Sequence, residues 1–313
     1  MASSTTADHP AKKAGYWFST FELQVADIKS NHFTHLYAGF AKVQYPIPPH
    51  QKNDDVIKFP DNSGRFESFS ETVKGTNPRV KALLSIGGDE GPNISSAIAS
   101  VARDAKLREA FINRSIQLAR ENKYDGLDLC WLYPSNAEQM HLFALLLEEW
   151  RQAINDEKAK QTNNYEKLLL TAAVFHQPVI HGTDGNNIDY PCQAISKYLD
   201  WINVLTIDFD TPSPSNSPGK TGPVDAWLSC GKAGIDDWIK REAPTENLVL
   251  GLPFHGYNHG NGDPNDIAAK VKEAFRGINL GGYFAWHLAS DDNWTSQMQL
   301  PMHWLKRLII GQV

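Results

Sequence analysis

Eight short apolar runs, rich in β-branched and aromatic residues and spread along the whole chain, constrain the fold more than any other feature. They occupy residues 14–18, 34–40, 80–87, 126–131, 168–175, 202–209, 248–253 and 282–286. Runs of this length, apolar at successive positions, fit strands buried on both faces, as in a parallel sheet. Amphipathic segments lie between them, clearest over 108–122 and 138–158 and shorter over 65–74, 224–241, 267–275 and 302–310. Eight strands, each followed by a helix, predict an α/β chain closed into a single (β/α)8 TIM barrel of parallel strands. A doubly wound open sheet is the alternative, but no Gly-rich phosphate loop opens any helix. The barrel is expected over 13–313, with 1–12 as a disordered tail and no repeats or linkers.

Two segments break the rhythm. TPSPSNSPGKTGP, residues 211–223, is dominated by Pro, Ser and Gly and reads as a loop. It follows the sixth strand, on the face where barrels carry their ligand sites. Residues 155–166 are polar and read as an exposed connector on the opposite face.

Composition narrows the partners. The 313 residues are 41% hydrophobic and 21% charged, which is ample for a core. A net charge of −6 with Lys and Arg scattered argues against nucleic acid or an anionic membrane as a partner. No stretch approaches the roughly 20 apolar residues of a membrane span, and no apolar run precedes Ala14, so a reduced, cytoplasmic protein is expected. Cys130, Cys192 and Cys230 lack metal-ligand spacing, and neither metal nor cofactor is expected. The sequons at Asn93, Asn113 and Asn293 carry meaning only in a secreted chain. Oligomeric state is left open.

The fourth run belongs to the stretch DGLDLCWLYP, residues 125–134. Side chains two apart in a strand share a face, so Asp128, Cys130 and Leu132 project together into the barrel. The stretch resembles the catalytic signature of glycoside hydrolase family 18, the family of the plant class V chitinases, whose form is DGxDxDWEYP. SIGG at 85–88, LDWINVLTIDF at 199–209, LVLGLPF at 248–254 and GGYFAWHLASDDNW at 281–294 extend the resemblance from Lys13 to the C-terminus.

The resemblance implies a mechanism in which the terminal Glu of the signature protonates the glycosidic oxygen. The preceding Asp holds the substrate's N-acetyl group as nucleophile. Here those positions are Leu132 and Cys130. Leu cannot donate a proton, so chitinase activity is expected to be absent. Other positions depart in the same cavity. Ile207 stands where the family has a Tyr that bonds the N-acetyl oxygen, while Asp208 is kept. DFDTP replaces DFYGP and places Asp210; LPFHGY replaces LPFYGR and places His255 and Tyr257. The α+β insertion that class V enzymes carry after strand seven is missing. Tyr16, Phe40, Tyr133 and Trp286 are retained, and an aromatic floor stacks on a sugar face or on any flat organic ligand.

Three titratable residues are candidates for chemistry. Asp128 is either a general acid whose pKa burial raises or a structural hydrogen-bond partner. Asp210 and His255, on neighbouring strands, would make an acid/base pair. Cys130 reads as a small apolar filler, and His287 and His176 as structural. The ligand-binding set is Tyr16, Phe40, Cys130, Leu132, Tyr133, Ile207, Asp208, Tyr257 and Trp286. The expected function is a chitinase-like cavity repurposed to bind and transform a small organic molecule by acid/base chemistry, as in plant specialised metabolism. The alternative is an inactive lectin or sensor that binds chito-oligosaccharides; a structural or storage protein is a third class.

Overall fold

The computed structural model describes residues 11–46, 56–60, 64–88, 92–160, 166–207, 231–254 and 278–290. Eight parallel strands close into a barrel: β1 (Lys12–Phe18), β2 (His35–Val43), β4 (Lys81–Gly87), β5 (Gly126–Cys130), β6 (Leu169–Phe175), β9 (Trp201–Leu205), β10 (Leu248–Pro253) and β11 (Gly282–Trp286). β1 pairs with both β2 and β11, which completes the ring. A two-residue strand, β3 (Ile57–Lys58), adds antiparallel to β2. Each barrel strand falls on a predicted run, so the expected (β/α)8 architecture is present. Only residues 254–281 separate β10 from β11, which leaves no room for a second domain there.

The strands are apolar throughout because each faces two cores. Along β1, Ala14, Tyr16 and Phe18 point into the barrel, while Trp17 packs outward against the helices. The same alternation puts Leu83, Ala173, Trp201, Val249 and Phe284 inside, and Leu84, Val174, Val204, Leu250 and Ala285 outside. Burial on both sides removes the polar alternation that a half-exposed strand would show.

The helices form the outer layer: α1 (Arg65–Thr76), α2 (Pro92–Arg103), α3 (Ala105–Glu121), α4 (Ala137–Lys160), α5 (Cys192–Tyr198) and α6 (Lys232–Lys240). α3 begins three residues before its predicted start because Asp104 caps it, accepting from the Lys106 and Leu107 amides at 2.9 and 3.0 Å. α4 corrects the predicted connector over 155–166, since it remains helical to Lys160. Glu157, in its last turns, takes a bidentate pair from Arg120 at 3.0 and 2.8 Å, which holds polar residues in the helix. Sequence periodicity missed α2, α5 and the small hairpin of β7 (Val179–His181) and β8 (Asn187–Asp189). The predicted helices 267–275 and 302–310, the loop 211–223 and the start of 224–241 lie outside the described residues. No helix among the described residues is long and apolar enough to cross a membrane. β1 already includes Lys12, paired with Gly282, so the barrel opens one residue before its predicted boundary.

At the N-terminal end of the barrel, His35 packs against the Trp201 ring at 4.9 Å and meets the Thr34 hydroxyl through Nδ1 at 2.8 Å. Burial, with Lys12 and Lys81 nearby, pulls its pKa down to about 3 from 6.5. A base with a depressed folded-state pKa contributes stability that is present above 6.5 and is lost as pH falls from there towards 3. Thermal unfolding between these limits should therefore show stability decreasing with acidification. His35→Gln should flatten that slope by up to about 1.4 kcal/mol per pH unit. An unchanged slope in the variant would show that His35 protonates freely in the fold.

Candidate functional site at the barrel mouth

The centre of the barrel is polar. Asp128 is fully buried on β5, and the parallel register sets Ser85 of β4 and Thr171 of β6 directly beside it. Its Oδ2 accepts from the Ser85 hydroxyl at 2.6 Å and the Tyr16 hydroxyl at 3.0 Å. Its Oδ1 accepts from the Thr171 hydroxyl at 2.6 Å and the Asn203 amide at 3.4 Å. Asn203 also donates to the Tyr16 oxygen at 2.8 Å and accepts from the Tyr37 hydroxyl at 3.3 Å, and the Trp201 indole donates to Tyr37 at 3.0 Å. Burial pushes the Asp128 pKa above the ordinary carboxylate value, against the hydrogen bonds, which lower it. Both oxygens are occupied and none of the residue is exposed.

The upper layer is apolar. Cys130 is fully buried, and Leu132, Tyr133, Ile207 and Phe40 are partly buried against the inner cluster that contains Trp286. Trp286 leans on Tyr16 and Phe18, each 4.9 Å away, with Phe40 at 6.0 Å. Beyond them, exposed Phe21 stacks on His287 at 4.0 Å. Two glycines of the SIGG motif allow this packing. Gly87 and Gly88 have φ of +108° and +85°, a region glycine adopts without a Cβ penalty. A Cβ on Gly87 would meet the Cys130 carbonyl at 2.4 Å, and one on Gly88 would strike the Phe40 ring at 2.3 Å. The Gly88 amide instead donates to the Cys130 carbonyl at 2.8 Å, which ties β4 to the end of β5. Non-proline cis peptides at Gly39–Phe40, Leu132–Tyr133 and Trp286–His287 lie in this same layer.

The structure thus brings together Asp128, Phe40, Cys130, Leu132, Tyr133, Ile207 and Trp286 at or just below one end of the barrel. Tyr16, expected among the ligand-binding residues, is fully enclosed and stacks on Tyr37 at 4.3 Å, so it supports Trp286 from beneath. Asp208, Asp210, His255 and Tyr257 lie outside the described residues. Ser85, Thr171, Asn203 and Phe18 were not singled out from the sequence. Strand parity alone could have found the first three, since each occupies an inward position at the level of Asp128. Half-buried His176 has its pKa lowered to about 4 by desolvation. Among the described residues no group of three His, Cys, Asp or Glu could hold a metal ion.

Removing the acceptor at position 128 would leave several buried donors unpaired, each costing about 1–3 kcal/mol unless its hydroxyl finds another partner. Asp128→Ala should lower the thermal midpoint by about 6 °C or more for a chain of this size. A variant as stable as the parent would mean that the carboxylate holds nothing together.

The sequence matches glycosyl hydrolases family 18 over residues 12–266. A class V chitinase of Arabidopsis thaliana is 39% identical over 249 residues, which are 78% of this chain and 62% of that protein. The chain therefore spans less than two thirds of that relative's length. The crystal structure of a class V chitinase from Nicotiana tobaccum in complex with NAG4 superposes with a TM-score of 0.79 at 32% identity, over 94% of this chain and 99% of the other. A chitinase-like agglutinin from Robinia pseudoacacia superposes with a TM-score of 0.76 at 33% identity, over 94% and 100%. With its closed barrel, its strand motifs and this match over most of its length, the chain belongs to glycosyl hydrolases family 18.

Proposed function

We propose that this is a chitinase-like protein without chitinase activity, whose barrel mouth binds and transforms a small organic molecule. One observation carries the first part: β5 ends at Cys130 and the chain runs on to Leu132, which stands where the family resemblance expects the proton donor and has no proton to give. Asp128 does not supply the loss, because it is sealed under the mouth and already bonded at both oxygens. General acid catalysis alone contributes about 10²–10⁴-fold, so its absence is decisive for hydrolysis. The transforming part rests on sequence: Asp210 and His255 are an aspartate and an imidazole where the family resemblance expects uncharged tyrosines. A carboxylate and an imidazole can share a proton near neutral pH.

A second reading is that the protein binds chito-oligosaccharides as a lectin. It is favoured by the likeness to the Robinia agglutinin and to the tobacco chitinase that was solved with NAG4. Against it stand Ile207 and Cys130, which offer no strong hydrogen bond to an N-acetyl group. Both readings share the absence of hydrolysis.

Incubation with chitotetraose should yield no shorter products, and Leu132→Glu alone should not restore cleavage, because Cys130 and Ile207 still leave the acetamido group unheld. Product formation by the parent at the rate of an intact class V enzyme would overturn the proposal. For the transforming step, once metabolite screening identifies a converted compound, Asp210→Asn or His255→Ala should reduce kcat by about 10²-fold with the thermal midpoint unchanged. Full turnover in both variants would remove acid/base chemistry from this pair.

A further inference from the structure

The N-terminal end of the barrel, opposite the mouth, holds a positive charge without an ion-pair partner among the described residues. Lys12 opens β1, and its Nζ lies over the Trp201 ring, 5.0 Å from the centroid. The ammonium donates to the Glu246 carbonyl oxygen at 3.3 Å, at the surface of the protein. Asp200, the carboxylate that acts on it most, is already held through Oδ2 by Arg151 at 2.7 Å and by the Leu170 amide at 2.8 Å. Burial pulls the Lys12 pKa below the ordinary amine value, against Asp200 and Glu246, which raise it. An ammonium that has lost part of its water without gaining a carboxylate is unfavourable. The neighbours add to the charge. His35 packs on the same Trp201 ring at 4.9 Å. Burial holds its pKa down, and Lys12 and Lys81 both act in the same direction, so the field at the imidazole is positive. Lys81 is met by Glu166 at 2.6 Å and Asp125 at 3.7 Å, which leaves Lys12 as the cation of this pair without a counter-charge.

We infer that Lys12, with His35 and Lys81 beside it, forms a binding site for a small divalent oxyanion of the sulfate or phosphate kind. An ammonium has three protons, and Lys12 gives one to the Glu246 carbonyl, so others remain for the oxygens of the ion. Its bond to Glu246 lies at the surface, so an ion reaches Nζ without opening the barrel. The positive field at His35 adds to the attraction, and a divalent ion gains about twice what a monovalent one gains from it. The exposed Glu246 side chain and the existing partners of Lys81 oppose it. The affinity is therefore that of a single charge pair near a surface, about millimolar. The site lies at the end of the barrel away from the mouth and is independent of what the mouth binds.

Sulfate is the probe, because its charge is constant around neutral pH. Calorimetry on the full chain, with sodium sulfate against sodium chloride at the same ionic strength, should show saturable binding with a Kd of about 1–10 mM. Lys12→Met keeps the apolar stem and should weaken that binding by about tenfold or more. Lys12→Arg keeps a cation over the ring and should hold the affinity within about threefold of the parent. A measurement on the unaltered chain covers the case of a variant that does not fold. Saturating sulfate should slow acetylation of Lys12 by N-acetoxysuccinimide by about threefold or more relative to chloride, read at residue 12 by tandem mass spectrometry. Exposed Lys106 on α3 serves as the control and should react equally in both salts. Sulfate binding that survives Lys12→Met undiminished would place the ion elsewhere and overturn the site. Absence of saturable binding, or acetylation of Lys12 at the same rate in both salts, would overturn it as well.

Discussion

The Asp128 carboxylate draws hydrogen bonds from four other strands: Tyr16 on β1, Ser85 on β4, Thr171 on β6 and Asn203 on β9. With β5 itself, five of the eight barrel strands meet at one buried group. A carboxylate taken out of water is unfavourable unless its lone pairs are met, and here the register of the parallel strands meets them. The same bonds orient what lies above. Tyr16 is held by Asp128 and Asn203, and Trp286 leans on its ring. Ser85 opens the motif whose second glycine, Gly88, lets Phe40 lie over the chain. Replacing that carboxylate would leave donors from four strands to rearrange at once, which is a physical reason for Asp128 to stand beneath a Cys and a Leu.

Cys130 and Leu132 take part in none of the hydrogen bonds that unite the strands through Asp128. Their identity is therefore independent of the barrel's central bracing, and apolar residues there leave that bracing unchanged. This separates the bracing of the barrel from the chemistry at the strand ends, where function is decided. The likeness to a chitinase and to an agglutinin alike is the expected result, since both likenesses report the scaffold.

An apolar upper layer over a saturated polar layer also defines how the mouth can act. No carboxylate or imidazole is among Phe40, Cys130, Leu132, Tyr133, Ile207 and Trp286, so the proposed acid/base pair is Asp210 and His255. Binding by shape and stacking needs neither.

The sequence by itself determined the barrel, because strands buried on two faces leave a run of apolar residues that few other architectures explain. It also set a Leu at position 132, where the family resemblance expects the proton donor, and it marked Trp286 at the end of its strand. Helix ends held by local chemistry, such as the Asp104 cap and the Glu157–Arg120 pair, escaped periodicity because they depend on single contacts. Only the tertiary structure brought the partners of Asp128 together, as they come from strands separated by as many as 112 residues in sequence. The same holds for Tyr16, which belongs to the ligand set by resemblance yet is fully covered by side chains from β2 and β11. Strand parity tells which residues face inward. How far each inward residue lies from water depends on what the other strands place above it, and that is fixed only when the ring closes.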